Sequence, residues 1–166
     1  AWTILTSPVG LLDGGVRGRI DTESTAPCYP LFARRLSPLL GDGDTVASEA
    51  VGVVSYLLPS TRIHDVLGLG DPYIARSGVP VFGFGKTNLN YTVNVVRPTV
   101  MLLHSPALLW PHPENLTDLY LAYRMNVALA GYVPFMLVRN DCGARFEPAT
   151  RDLEPVRLTA SGLVPV

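Results

Sequence analysis

The sequence predicts an α/β fold: a single domain with a mixed or mostly parallel sheet, flanked by short helices and rich in loops. Three observations predict it. Short apolar or β-branched runs recur at residues 45–47, 51–58, 62–66, 99–104 and 132–139, with helical or turn-forming stretches between them. Glycine and proline number 15 each in 166 residues, well above the usual combined share of about 12%, so elements are short and turns frequent. The length suits one domain with a sizeable core, and a hydrophobic content of 48% excludes a disordered chain.

Taken in order, residues 1–21 read as loop, with Ser7-Pro8, Asp13-Gly14-Gly15 and Gly18 as turn signals. Loop continues to Pro30. Residues 31–40 read as a short helix with Leu31, Phe32, Leu36, Leu39 and Leu40 on one side and Arg34 and Arg35 on the other. Gly41-Asp42-Gly43-Asp44 is a tight turn. Residues 45–47, 51–58 and 62–66 read as strands. Asp71 is placed as an N-cap and Pro72 as the first residue of a helix through Arg76, stopped by Gly78 and Pro80. Residues 81–85 read as loop, 90–96 as helix, 99–104 as a central strand and 105–113 as proline-rich loop. Residues 114–130 form the best helix candidate, with Leu116, Leu119, Tyr120, Tyr123 and Val127 at helical spacing. Residues 132–139 read as the last strand. The expected organisation is an amino-terminal loop and short helix over 1–44, an α/β core over 45–140 and an irregular tail over 141–166.

The net charge of −1 lacks the basic excess of a nucleic-acid binder, so no nucleic-acid partner is expected. Twelve of the 13 basic residues are arginines, Lys86 being the one lysine; this bias reads as a GC-rich coding genome. The longest apolar run, 127–138, is broken by Gly131 and Pro134 and falls short of the roughly 20 residues of a membrane helix. The start at Ala1, without a methionine or a signal-peptide pattern, reads as a fragment. A charge-poor composition fits a domain cut from a membrane protein and an ordinary soluble domain equally. Cys28 and Cys142 alone cannot make a tetrahedral zinc site; a bridge between them and two free thiols both remain open.

Most chemical motifs fail. Gly85-Lys86-Thr87 ends like a phosphate-binding loop, but Pro80 stands where that loop needs glycine. Gly68 and Gly70 lack the third glycine of a dinucleotide fingerprint, Tyr73 being in its place. There is no GxSxG elbow. His64, His104 and His112 lack i,i+4 spacing. Asn90-Tyr91-Thr92 and Asn115-Leu116-Thr117 are glycosylation sequons by pattern alone. What survives is a collection of polar residues at predicted strand ends: Asp65 and Asp71 around the Leu67–Gly70 loop, His104 and Ser105, and Asn140 and Asp141. Ligands of open α/β sheets favour the crevice beyond the carboxyl ends of the strands. Tyr73, Trp110, Tyr120 and Tyr123 supply aromatic faces. Such faces with Asp, Asn and Arg suit a sugar, through stacking and hydroxyl hydrogen bonds. Each residue also has a plainer reading: the aspartates as caps, the tyrosines as core.

The segment 62–76, with Asp65, Gly68, Leu69, Asp71, Ile74 and Ala75, resembles the D-x-x-G-L-x-D-x-x-I-A segment of extracytoplasmic domains of polyprenyl-phosphate-sugar-dependent membrane glycosyltransferases of the GT-C type. In those proteins a strand such as 52–58 precedes it. Here Gly83-Phe84-Gly85-Lys86, a polar helix over 88–96, Arg97-Pro98 and an apolar strand over 100–104 follow in the family's order. The resemblance covers about residues 45–106 of the chain. It departs from many relatives at Lys86, which follows Phe84-Gly85 rather than histidine. The opening Ser7-Pro8-x-Gly10-Leu11-x-Asp13-Gly14-Gly15, with residues 17–23, is similar more narrowly to the carboxyl-terminal domain of mycobacterial terminal β-(1→2) arabinofuranosyltransferases.

The resemblance implies an extracytoplasmic, periplasmic domain attached to its own membrane-helical part. The whole enzyme would transfer arabinofuranose from decaprenyl-phosphate-arabinose to cell-wall arabinan. The catalytic aspartate of the family lies outside these residues. No catalytic residue, metal or cofactor is therefore assigned to this domain, and the fragment alone is expected to be inactive. Its expected role is to hold the arabinan acceptor, with Asp65, Asp71, Tyr73, Lys86, His104 and Trp110 as candidate binding residues. The alternatives are a purely structural or interaction domain and, behind it, an independent hydrolase.

Overall fold

The computed structural model describes residues 28–81, 85–104, 113–125, 134–159 and 162–166. The expectations for the amino-terminal loop, for the proline-rich loop with Trp110, and for residues 126–133 therefore lie outside the described residues.

The fold is α/β, built on a mixed seven-stranded sheet. Helix α1 (Cys28–Leu36) precedes strand β1 (Thr45–Ser48), α2 (Val51–Leu57) and β2 (Arg62–Asp65). Next come α3 (Pro72–Ser77), a small hairpin of β3 (Val79–Val81) and β4 (Gly85–Thr87), and α4 (Leu89–Tyr91), which runs into a π-helix (Thr92–Val96). Strand β5 (Val100–Leu103), α5 (Leu116–Leu119), β6 (Tyr120–Arg124) and β7 (Phe135–Arg139) follow. A 3-10 turn (Asn140–Cys142), α6 (Gly143–Thr150), β8 (Glu154–Thr159) and β9 (Gly162–Pro165) complete the described chain. The sheet order is β2-β1-β5-β7-β6-β8-β9. β1 runs parallel to both β2 and β5, and the remaining pairs are antiparallel.

Alternation along the central strands fills a layer on each face. Val46, Val100, Leu102, Met136 and Val138 face Phe32 and Leu36 of α1, Val54 of α2 and Phe146 of α6. Ala47, Met101, Leu103, Phe135 and Leu137 face Val66, Leu67, Leu89, Val93 and Leu116. Strands covered on both faces read as continuous apolar runs, which is why β5 and β7 were legible from sequence.

Helix α1 buries residues 28, 29, 30, 32, 33 and 36; 29, 32, 33 and 36 form one stripe of a 3.6-residue period. It therefore starts three residues before the expected segment, and Pro30 is tolerated in its first turn.

Three expectations are corrected. Residues 51–57 are a helix, not a strand. Val54 and Leu58 are buried at i,i+4 while Gly52, Ser55 and Tyr56 are exposed, and two parallel strands need a crossover between them. The long helix expected from residue 114 is a single turn, α5, followed by β6. Tyr120 and Ala122 are buried with Leu121 exposed between them, the two-residue period of a strand. The tail is regular rather than irregular: α6 carries Pro148 inside it, and β8 and β9 extend the sheet. Strand β7 is accordingly not the last. Cys28 and Cys142 are free thiols, the first buried and the second half-buried. Among the described residues no helix is long and apolar enough to cross a membrane.

Candidate functional site

The three parallel strands end side by side. From β1 the chain crosses through α2 on one face to β2, then returns across the other face, through α4 and the π-helix, to β5 on the opposite side of β1. β1 and β5 thus flank a topological switch point, where the outgoing connections diverge and leave a crevice. The residues at the carboxyl ends are Ser48 and Glu49 after β1, Asp65 at the end of β2 and His104 after β5.

Glu49 is the centre of a polar cluster at these strand ends and is 6% exposed. Its Oε1 accepts the Tyr29 hydroxyl at 2.6 Å and the backbone N–H of His104, and lies 2.5 Å from His104 Nδ1. That contact favours the tautomer with the proton on Nδ1. Tyr29 also lies 2.9 Å from His104 Nδ1, with the two rings edge to face. Burial, and then the neighbouring Glu49, push the Tyr29 phenol far above its ordinary range, so it stays a donor. Glu49 Oε2 is buried and has no hydrogen-bond partner among the described residues. An unpaired buried acceptor of this kind is costly and is suited to receive a hydroxyl or water.

One strand further out, Asp65 and Asp71 accept the backbone N–H groups of the 66–70 loop and of the start of α3. Asp65 is 6% exposed; its Oδ1 accepts Leu67 N at 2.9 Å and its Oδ2 accepts Gly70 N. It folds the 66–70 loop, in which Gly68 takes the left-handed φ of 66°. A Cβ there would sit 2.7 Å from Ile74 Cγ2. Asp71 is the N-cap of α3, accepting Tyr73 N at 2.8 Å and Ile74 N at 3.0 Å, with Pro72 in the first turn as expected. Its other oxygen lies 3.5 Å from His64 Nδ1. His64 Nε2 contacts Thr92 Oγ1 at 3.0 Å. Burial holds the His64 pKa below its ordinary value, outweighing the pull of Asp71 and Asp65. Lys86 donates from Nζ to the carbonyl of Ala75 at 2.8 Å, a cation closing the last turn of α3.

What this scaffold displays is Tyr73. Its residue is 48% exposed, and its ring lies against that of Tyr91 with centroids 4.2 Å apart and planes tilted by 31°. Tyr91 in turn neighbours His64 at 5.9 Å. Asn88 and Ser77, hydrogen-bonded to each other, lie at the exposed edge of the same elements.

Of the sequence-derived candidates, the structure gathers Asp65, Asp71, Tyr73 and Lys86 around α3, and places His104 with Glu49 in the adjacent polar cluster. Trp110 lies outside the described residues. Tyr120 is core, its hydroxyl donating to Pro98 O. Glu49, Tyr29 and Tyr91 were not read from sequence. Glu49 follows β1 directly, a strand-end position of the same kind as Asp65 and His104; Tyr29 carries no local signal.

A separate cleft of about 470 Å³ opens along β6 and β8, lined by Leu121, Tyr123, Pro155, Leu158 and Val166 among others. Among the described residues no group of three or more His, Cys, Asp or Glu side chains is arranged to hold a metal ion.

The chain matches, over residues 24–151, the family described as domain of unknown function DUF8728. No curated protein and no solved structure matches it.

Proposed function

The chain belongs to the DUF8728 family, and we propose that in this chain the domain holds the glycan acceptor of a membrane glycosyltransferase. The enzyme is of the kind that moves arabinofuranose from decaprenyl-phosphate-arabinose to cell-wall arabinan. The domain sits on the extracytoplasmic side beside its membrane-helical part, which carries the transfer chemistry. It contributes binding and orientation. The observation that carries this reading is the half-exposed Tyr73 ring, backed by Tyr91 and fixed by the Asp71 cap at the carboxyl edge of the sheet. A rigid, displayed aromatic face takes the C–H face of a sugar, and the neighbouring amide and hydroxyl groups of Asn88 and Ser77 take its hydroxyls. Residues 65–77, Lys86 and Asn88, which lie within the stretch that carries the glycosyltransferase resemblance, build this platform.

The test is an NMR titration of the 166-residue chain with arabinan oligosaccharides. The expected result is roughly millimolar to micromolar binding, with shifts centred on the amides of Asp71, Tyr73 and Tyr91, and about a five- to tenfold loss in Tyr73→Ala. A titration that moves none of these amides overturns the reading. A second reading, an interaction domain without sugar binding, is favoured by the cleft along β6 and β8. It expects no arabinan shifts at all, and instead protection of Leu121 and Val166 when the membrane part is present.

A further inference from the structure

The opposite end of the same sheet has a different chemistry. Thr45 opens β1, Arg62 opens β2 and Thr99 precedes β5, while β7, running antiparallel, ends there at Arg139. These residues, with Arg97 and Asp141, line an open pocket of about 490 Å³. Three guanidinium groups therefore meet one carboxylate. That carboxylate is taken: Arg139 Nε donates to Asp141 Oδ1 at 2.7 Å, which holds Asp141 below the usual carboxylate range. The guanidiniums of Arg62 and Arg97 have no hydrogen bond or ion pair among the described residues, and both residues are exposed.

Arg97 stands out for its backbone. It has φ 51° and is the one non-glycine residue with positive φ among the described residues. For a residue with a Cβ this conformation is strained. Here the surroundings hold it in place: its N–H donates to Thr92 O at 2.9 Å, at the end of the π-helix, and its carbonyl accepts Arg139 Nη1 at 2.8 Å. Glycine or asparagine would adopt this turn more readily. An arginine forced into it, aimed at a pocket with a second unpaired arginine, marks strain kept for a side chain's sake.

From this we infer that the pocket binds a phosphate group carried on a larger molecule. Two free guanidinium forks present more donors than one carboxylate can accept, whereas a tetrahedral phosphate offers an oxygen to each fork and one to Thr45; the Thr99 hydroxyl is already donated to Asp44 Oδ1 at 2.7 Å. The volume leaves room for part of the molecule that bears the phosphate. This site is separate from the Tyr73 platform and does not depend on the sugar reading.

The test uses the 166-residue chain at low, fixed ionic strength with two probes: inorganic phosphate, followed by NMR, and vesicles of phosphatidylcholine with or without phosphatidic acid, followed by co-sedimentation. The variants are Arg62→Ala and Arg97→Gly. Arg97→Gly removes the charge and relieves the backbone, so its thermal midpoint stays at or above that of the wild type. The expected result is phosphate-induced shifts at residues 97–99 and 139–141, weakened about tenfold in each variant. Sedimentation with phosphatidic acid vesicles alone, lost in Arg62→Ala, assigns a lipid headgroup. Phosphate binding without sedimentation assigns a soluble phosphate compound. No binding in either arm, or binding that neither substitution weakens, overturns the inference.

Discussion

Replacing Asp71 by alanine tests how the displayed aromatic platform is held. The Asp71 carboxylate satisfies two of the free N–H groups at the start of α3, those of Tyr73 and Ile74, at 2.8 and 3.0 Å. Helix α3 has six residues, too short to persist on its own hydrogen bonds, so the cap and the buried Ile74 side chain anchor it. Losing a cap of this kind costs about 1–2 kcal/mol, a lowering of the melting temperature by about 2–4 °C per kcal/mol for a domain of this size. The His64 contact adds little, because at 3.5 Å from a histidine kept mainly neutral it is weak. Asp71→Asn separates cap from charge: asparagine caps as well as aspartate, so it stays within a few tenths of a kcal/mol of wild type. Urea unfolding of both variants, with unchanged m-values, gives the comparison. Tyr73 is the second residue of α3, so Asp71→Ala also weakens arabinan binding while Asp71→Asn preserves it. An Asp71→Ala variant as stable as wild type, or an Asp71→Asn variant as unstable as Asp71→Ala, refutes the reasoning.

Gly68→Ala places a Cβ 2.7 Å from Ile74 Cγ2 at a φ of 66° and is expected to cost about 2–4 kcal/mol, read from the urea midpoint. Tyr29→Phe removes the hydroxyl donated to buried Glu49 at 2.6 Å and is expected to cost about 2 kcal/mol, with the ring still packed as judged by near-ultraviolet circular dichroism. His64 has a folded pKa lowered chiefly by burial, so the unfolded chain takes up a proton that the folded one refuses. Its contribution to stability is complete above the unfolded value of about 6.5 and declines as pH falls below it, by at most about 1.4 kcal/mol per pH unit. His64→Gln removes that part of the pH dependence between pH 7.5 and 5.5. Burial pushes the Cys28 thiol up to about 12, while Cys142 is half-buried; native alkylation at pH 8 followed by peptide mapping is expected to modify Cys142 well before Cys28.

The sequence by itself determined what depends on near neighbours. The cap at Asp71, the proline after it, the stop at Gly78 and the apolar strand over 100–103 all appear where they were expected. Their signals act over a few residues, or through burial of a whole strand on both faces. The α/β class followed from the alternation of such elements.

What only the tertiary structure decided is where a short apolar run fits either period. Residues 51–57 and 120–124 carry apolar side chains compatible with helix and with strand. The first became a helix because β1 and β2 pair in parallel and need a crossover; the second became a strand because β7 and β8 pair on its two edges. The candidate sites divide in the same way. Tyr73 and its aspartates lie within one local segment and could be read from it. The Glu49–Tyr29–His104 cluster joins residues 20 to 75 positions apart, and the arginine pocket joins positions 62, 97 and 139. Neither has a spacing in the chain. Both exist because strands from distant parts of the sequence end side by side, which brings carboxyl and imidazole groups together at one edge of the sheet and unpaired guanidiniums at the other.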